Sequence, residues 1–265
     1  MTSIIDNMSD NNTDQIICQW NFCATLLNVA KSLEAPSRVD ATVTRLREGI
    51  FEGKFPPGAS LRELSIAREL SVSQATIREA LRHLEHSGLI IRKPNIGSTV
   101  VRLSSKDIAE RIALRASLET MAAQLAAPQM GGAEFTELYR RLQILDAAVQ
   151  SNSYYEAAQA DLDFHRYIWK CSGNETLARV LEFVTVPLLA FMSIVRSQGF
   201  QRLDSVVQAH EPLIVALRSG EAEEIRRNFE LAATSGYQPF LSGGPESAAA
   251  KAFGFLEVGV HATDE

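Results

Sequence analysis

The chain has 265 residues, 46% of them hydrophobic and 22% charged, which makes it globular and long enough for two domains of ordinary size. No run of about 18 apolar residues suggests a membrane span, and the most apolar early stretch, 16–30, is broken by Gln19, Asn21 and Asn28 with no basic segment before it, so no cleaved signal peptide is expected. The net charge of −6 argues against a nucleic-acid binder only until it is divided along the chain: residues 36–103 carry 11 basic against 7 acidic side chains, and residues 104–265 carry 14 against 21. A phosphate backbone meets local charge, not the sum over the chain.

Residues 1–35 mix Asn, Asp, Ser and Thr with a short apolar patch and read as a poorly ordered tail. Cys18, Cys23 and Cys171 are an odd number without metal-like spacing and fit free thiols in a reducing cytoplasm. A helix starts near Arg38, turns Val43, Leu46, Ile50 and Phe51 inward, and ends at Gly53. After the fixed turn Phe55-Pro56-Pro57-Gly58, residues 61–70 read as a short amphipathic helix with Leu61, Leu64, Ala67 and Leu70 inward. Only Ser71-Val72 separates it from a second helix over 73–87. There Ser73 can cap the N-terminus, Ile77, Ala80, Leu81 and Leu84 form a buried stripe, and Gln74, Thr76, Arg78 and Arg82 stay polar. Two short helices with so tight a joint make a helix-turn-helix. Gly88 stops the second helix, and 89–92 with 98–102 read as a hairpin whose tip is Lys93-Pro94-Asn95-Ile96-Gly97, so the unit is a winged helix.

From Ser104 strand-like alternation ceases. Helices are expected over about 106–127, 133–150, 154–171, 175–196, 203–219 and 221–235, with breaks at Pro128 and Gly131-Gly132, Ser151-Asn152-Ser153, Gly173-Asn174, Gly199 and Gly220. The expected fold is mainly α: a winged helix-turn-helix with a small β-hairpin wing over 36–103, an all-α antiparallel bundle over 104–241, and tails at 1–35 and 242–265.

A helix entering the major groove points its first turn at base edges. Gln74 can pair bidentately with adenine and Arg78 with guanine. Ser73 and Thr76 suit phosphate oxygens, Arg82 phosphate or simple solvation, and Asn95 and Gly97 at the wing tip complete the expected DNA-contacting set. Taken singly, each is more often a solvated surface residue; the winged-helix pattern reverses those odds.

Residues 38–103 resemble the DNA-binding domain of the GntR family of bacterial transcription regulators. The matching blocks are Gly53-Lys54-Phe55-Pro56-Pro57-Gly58, Leu70-Ser71-Val72-Ser73, Ile77-Arg78-Glu79-Ala80-Leu81 and Leu84-Glu85-His86-Ser87-Gly88-Leu89. The family commonly has arginine where this chain has Gln74, which implies an operator unlike the better-known family sites. In the bundle, Arg115-Ala116-Ser117-Leu118-Glu119, Phe164-His165 with Gly173-Asn174, and Ala209-His210-Glu211 resemble the effector domain of the FadR-type (FCD) subfamily.

That resemblance implies a cytoplasmic repressor, not an enzyme and without membrane contact. It would bind a two-fold operator in double-stranded DNA as a homodimer and be released by a small carboxylate effector. Arg115 matches an arginine that faces the effector, where a guanidinium can grip a carboxylate with two prongs. Its plainer reading is a salt bridge to Glu119 one turn on, and Arg196 is a second effector candidate. Asp161 and His165, one helical turn apart, can share a metal ion such as Zn, Ni or Mn, although such a pair alone is more often a surface hydrogen bond. The resemblance adds His210 as a ligand and a fourth, a histidine, where this chain has Ala232. Two alternatives stand beside this reading: a fatty acyl-CoA-responsive regulator with a metal-free cavity, and a helical metal-dependent hydrolase built on Asp161, His165 and His210, which lacks a convincing general base.

Overall fold

The computed structural model describes residues 36–93, 97–199, 203 and 205–241; the expected tails, with Cys18 and Cys23, and the wing-tip residue Asn95 lie outside the described residues. Those described from Val39 onward belong to one compact unit.

Helix α1 (Arg38–Phe51) buries Leu46, Ile50 and Phe51 on one face. The Pro56-Pro57 turn then leads into a two-residue strand, β1 (Ser60–Leu61), followed by α2 (Glu63–Glu69), α3 (Gln74–His86), β2 (Ile90–Lys93) and β3 (Gly97–Val100). The wing is a three-stranded antiparallel sheet in the order β1-β3-β2, with Leu61 opposite Ser98 and Ile91 opposite Thr99.

Strand β1 corrects the expectation for 61–70. Leu61 is buried as a strand residue, and the helix begins only at Glu63. Its phase is set by Ile66 and Ala67, which are buried, so Leu64, roughly 200° around the helix from Ile66, is 59% exposed rather than inward. Ser71 takes φ +52° in the joint that turns α2 into α3.

The bundle opens with α4 (Ser105–Ala126), started by a capping box in which Ser104 and Asp107 satisfy each other's backbone N–H groups. After a 3-10 turn (Ala127–Gln129) come α5 (Gly132–Gln150), α6 (Tyr154–Cys171) capped by Ser153, and α7 (Glu175–Ser197) capped by Asn174. Four shorter helices follow: α8 (Ser205–Gln208), α9 (Glu211–Ser219), α10 (Ala222–Ser235) and α11 (Gln238–Leu241). Helix α4 packs against α6, α7 and α10, and α6 lies between α5 and α7. Among the described residues α7 alone is long and apolar enough to cross a membrane, with mean hydropathy 1.8. Every residue of 184–195 is buried against the rest of the bundle, so its apolarity is that of a core helix.

The single helix expected over 203–219 is broken. Pro212, in the first turn of the second piece, has no N–H to give to the Gln208 carbonyl, so that bond of the ladder is missing at the joint. The joint closes instead with shorter-range bonds, His210 N–H to Val207 O at 3.0 Å and Leu213 N–H to His210 O at 3.1 Å.

The winged helix and the bundle share one apolar cluster. Leu46, Phe51, Ile77, Leu81, Leu84 and Leu89 are continuous with Ala158, Leu162, Trp169, Leu177 and Leu181, and the Phe51 and Tyr155 rings meet edge to face at 5.8 Å. Gly88 packs tightly against α7: at φ +72°, a Cβ there would stand 3.0 Å from the Phe183 carbonyl oxygen.

Candidate nucleic-acid interface and effector cavity

The reading end of α3 is built from its cap. Ser73 Oγ accepts the Thr76 N–H at 3.1 Å and lies 2.8 Å from Thr76 Oγ1, so both hydroxyls are ordered at the helix start. Gln74 and Arg78, one turn apart, converge on a residue not singled out in the sequence: Arg78 Nε donates to Glu63 Oε2 at 2.8 Å, and Gln74 Nε2 donates to the same oxygen at 3.1 Å. Arg82, a turn further, pairs with Glu79 at 2.7 Å. Gly97 opens β3 at φ +115°, and among the described residues beyond its chain neighbours none lies within 4 Å of where a Cβ would stand, which leaves it free to approach a backbone closely.

In the bundle, α4, α6, α7, the α8–α9 joint and the end of α10 enclose a cavity of about 430 Å³. Helical spacing puts Asp161 and His165 on the same face of α6, the Pro212 break brings in His210, α4 gives Arg115, and α7 gives Arg196. Tyr237, beyond α10, closes one side, and Ala232 lines the wall without offering a donor.

Each histidine is held from behind. His210 Nδ1 lies 2.7 Å from the Val206 carbonyl, which can only accept, so Nδ1 carries a proton and Nε2 faces Asp161 Oδ1 at 3.0 Å. His165 Nδ1 is 3.3 Å from the Glu119 carboxylate, and its Nε2 is 3.5 Å from Asp161 Oδ1. One ligand atom from each of Asp161, His165 and His210 lies within 4.8 Å of the others. Two imidazole nitrogens and a carboxylate oxygen face one another, with the Arg115 guanidinium beside His165 Nε2, and with both Nδ1 atoms engaged the donor set fits a divalent ion.

Glu119 is the hub behind the cavity. Fully buried, it accepts from Trp169 Nε1 at 2.8 Å as well as from His165, and Arg115 Nε lies 3.5 Å away. Burial pushes its carboxyl up, but His165, Arg115 and Trp169 outweigh that and hold it below the usual range. Asp161 is likewise pulled down against its burial, chiefly by His210. Arg115 lines the cavity, pairs with Glu119, and also places Nη2 3.2 Å from His165 Nε2. Arg196 stands differently. Its Nε is enclosed without a hydrogen-bond partner among the described residues, and burial pushes its guanidinium down against the pull of Asp161 and Tyr237, with Arg115 adding to the lowering.

Sequence reasoning missed Glu63, Glu119 as the support of His165, and Tyr237. The signal for Glu63 was a carboxylate in the first turn of α2, the helix that precedes the joint. Tyr237 lies past the last periodic helix and left none.

A winged helix bearing polar side chains at its reading end, fused to a helical bundle around a charged cavity, defines a DNA-binding transcription regulator. Residues 39–100 match the model of the bacterial regulatory proteins of the gntR family, and residues 110–229 match the FCD domain. An HTH-type transcriptional regulator from the ttuE-ttuC' intergenic region of Agrobacterium vitis is 32% identical over 148 residues, 54% of this chain and 85% of that protein. The gluconate operon transcriptional repressor of Bacillus subtilis is 25% identical over 213 residues, 77% of this chain and 87% of the repressor. Among solved structures, McbR/YncC of E. coli superposes with a TM-score of 0.66 at 21% identity, covering 78% of this chain and all of that one, a likeness of fold. The chain belongs to the GntR family of bacterial transcription regulators, with an FCD domain as its helical part. The family consists of regulators and not enzymes, which removes the hydrolase alternative.

Proposed function

We propose that this regulator is a cytoplasmic repressor that binds a two-fold operator in double-stranded DNA as a homodimer and is released when a small carboxylate metabolite enters the bundle cavity. Gln74 and Arg78 read base edges, Ser73, Thr76 and Arg82 hold phosphates, and the wing with Asn95 and Gly97 touches the backbone beside them. The observation that carries the effector reading is Arg196: a half-buried guanidinium on the cavity wall whose enclosed Nε–H has no partner among the described residues is costly, and a carboxylate satisfies both its charge and its fork. Arg115 is the second cation in reach of the same ligand. The gluconate operon repressor among the relatives supports a sugar acid or similar compact acid. A cavity of about 430 Å³ lined by Arg115, Arg196, Asp161 and two histidines suits such a ligand better than a fatty acyl chain.

Asp161, His165 and His210 would hold a divalent ion, Zn, Ni or Mn, with open positions because Ala232 adds no fourth donor. Such an ion supplies Lewis-acid attraction for an effector carboxylate. The homodimer follows from the reading head, since one winged helix covers a few base pairs and two-fold pairing fixes half-site spacing.

The test is a thermal-shift screen of the purified full chain against organic and sugar acids, each with Zn, Ni, Mn or a chelator, repeated with Arg196→Gln. An acid that raises the melting temperature of the parent but not of Arg196→Gln, and that frees operator DNA in a mobility shift, is the expected result. No response of the parent to any acid with any metal overturns the effector reading.

A further inference from the structure

Glu63 joins both proposed base-reading side chains through one oxygen. Its Oε2 accepts Arg78 Nε–H at 2.8 Å and Gln74 Nε2–H at 3.1 Å, reaching from the first turn of α2 across the joint to α3. The Glu63 side chain is 24% exposed against 54% for Arg78, so the carboxylate is the anchored member and the guanidinium the presented one.

The choice of donors decides what is left for DNA. Arginine has five N–H groups, and with Nε–H committed the remaining four lie on Nη1 and Nη2, the pair that meets guanine O6 and N7 end-on. The side-on approach through Nε, which suits phosphate oxygens as well as bases, is closed. Glutamine has two amide N–H groups and a carbonyl. With one N–H on Glu63, the other and the carbonyl oxygen remain, which is the set adenine N7 and N6 require. The shared carboxylate also fixes which end of the amide is which. Both long side chains are therefore ordered before DNA arrives, which reduces the entropy lost on binding. A carboxylate at the groove further repels phosphates and the acceptor edge of guanine, weakening every non-specific encounter.

We infer that Glu63 is a specificity-determining positioning residue, a single carboxylate that orients Gln74 and Arg78 for end-on base reading and lowers affinity for non-specific DNA. The inference rests on Gln74 and Arg78 being the base readers.

The experiment is selection of a randomised duplex pool by the full-length protein, followed by titration of the selected duplex and of a scrambled duplex at fixed salt, for the parent, Glu63→Ala, Glu63→Gln and Arg78→Ala. Melting temperatures of all four check folding. For Glu63→Ala we expect base preference to flatten at the positions read by Gln74 and Arg78, scrambled-duplex binding to tighten, and the ratio of the two affinities to fall about tenfold, the worth of one lost discriminating contact. Glu63→Gln keeps an acceptor without the charge, so it should tighten scrambled-duplex binding while retaining most of the base preference. If Glu63→Ala folds and selects the same sequence with an unchanged ratio, Glu63 is only a surface ion pair. If Arg78→Ala itself selects the parental sequence, the base-reading assignment fails, and the inference about Glu63 fails with it.

Discussion

A guanidinium whose Nε has no partner is harder to keep in a folded interior than one shared between a carboxylate and an imidazole, and the cavity holds one of each. Arg115 is braced by Glu119 and His165, whereas Arg196 has an enclosed N–H with no acceptor among the described residues. Replacing Arg196 by Gln removes a half-buried charge with an enclosed, unused Nε–H and keeps much of the volume, so without effector the melting temperature should hold or rise by about 2–4 °C, the equivalent of roughly 1 kcal/mol in a chain of this size. Arg115→Ala should behave oppositely. It removes one of the three groups that hold the buried Glu119 carboxylate and leaves His165 and Trp169 to do so, and a loss of about 2 kcal/mol is expected in urea unfolding, the worth of a hydrogen bond to a charged group. Equal stability of the two variants would show that the braces on Arg115 contribute nothing. At this scale the sequence was half legible. Arg115 and Glu119 at one-turn spacing announced their own pairing, but Trp169 and His165 reach Glu119 from another helix, and no local spacing records a meeting between α4 and α6.

Elements were legible wherever periodicity lasted for several turns. Helix α6 runs over the same residues that its pattern marks, because Ser153 caps one end and the glycine after Ser172 releases the other. Two places departed, each for a local reason. Strand β1 has two residues, too few to show a period of two, so Leu61 was absorbed into the helix that follows. The stretch 203–219 kept helical hydrophobicity across a break just before Pro212, and His210 at that break meets Asp161. Gly88 was legible as a helix stop but not as a contact, since its second role depends on Phe183 of α7. Gly88→Ala meets both a positive φ and an oxygen 3.0 Å from the new Cβ. It should cost about 1–3 kcal/mol in urea unfolding. A loss below about 0.5 kcal/mol would mean that the two helices part there without strain.

At the scale of the whole molecule, the uneven charge was readable at once, while the face that α4 and α7 leave open was not, because apolar residues on a long helix look like core until their neighbours are known. Leu114, Met121 and Leu125 recur on one side of α4 at helical spacing, and Leu114 and Met121 are 53% and 48% exposed. Val180 and Phe183 are exposed on α7, and Arg111 ties the two helices by donating to the Phe183 carbonyl at 2.9 Å and lying over its ring at 5.2 Å. Five large apolar side chains on adjacent packed helices form the kind of patch a second copy can cover, and a two-fold pairing there uses the same surface twice. Introducing two carboxylates, Leu114→Glu with Met121→Glu, buries four like charges in such an interface but touches no core residue. The double variant should elute as a monomer in light-scattering chromatography where the parent is a dimer, keep its melting temperature once diluted below the dimer's range, and bind a two-fold operator at least about 100-fold more weakly, since each head is then held by one half-site. A variant that stays dimeric with parental operator affinity would move the interface to another face of the molecule.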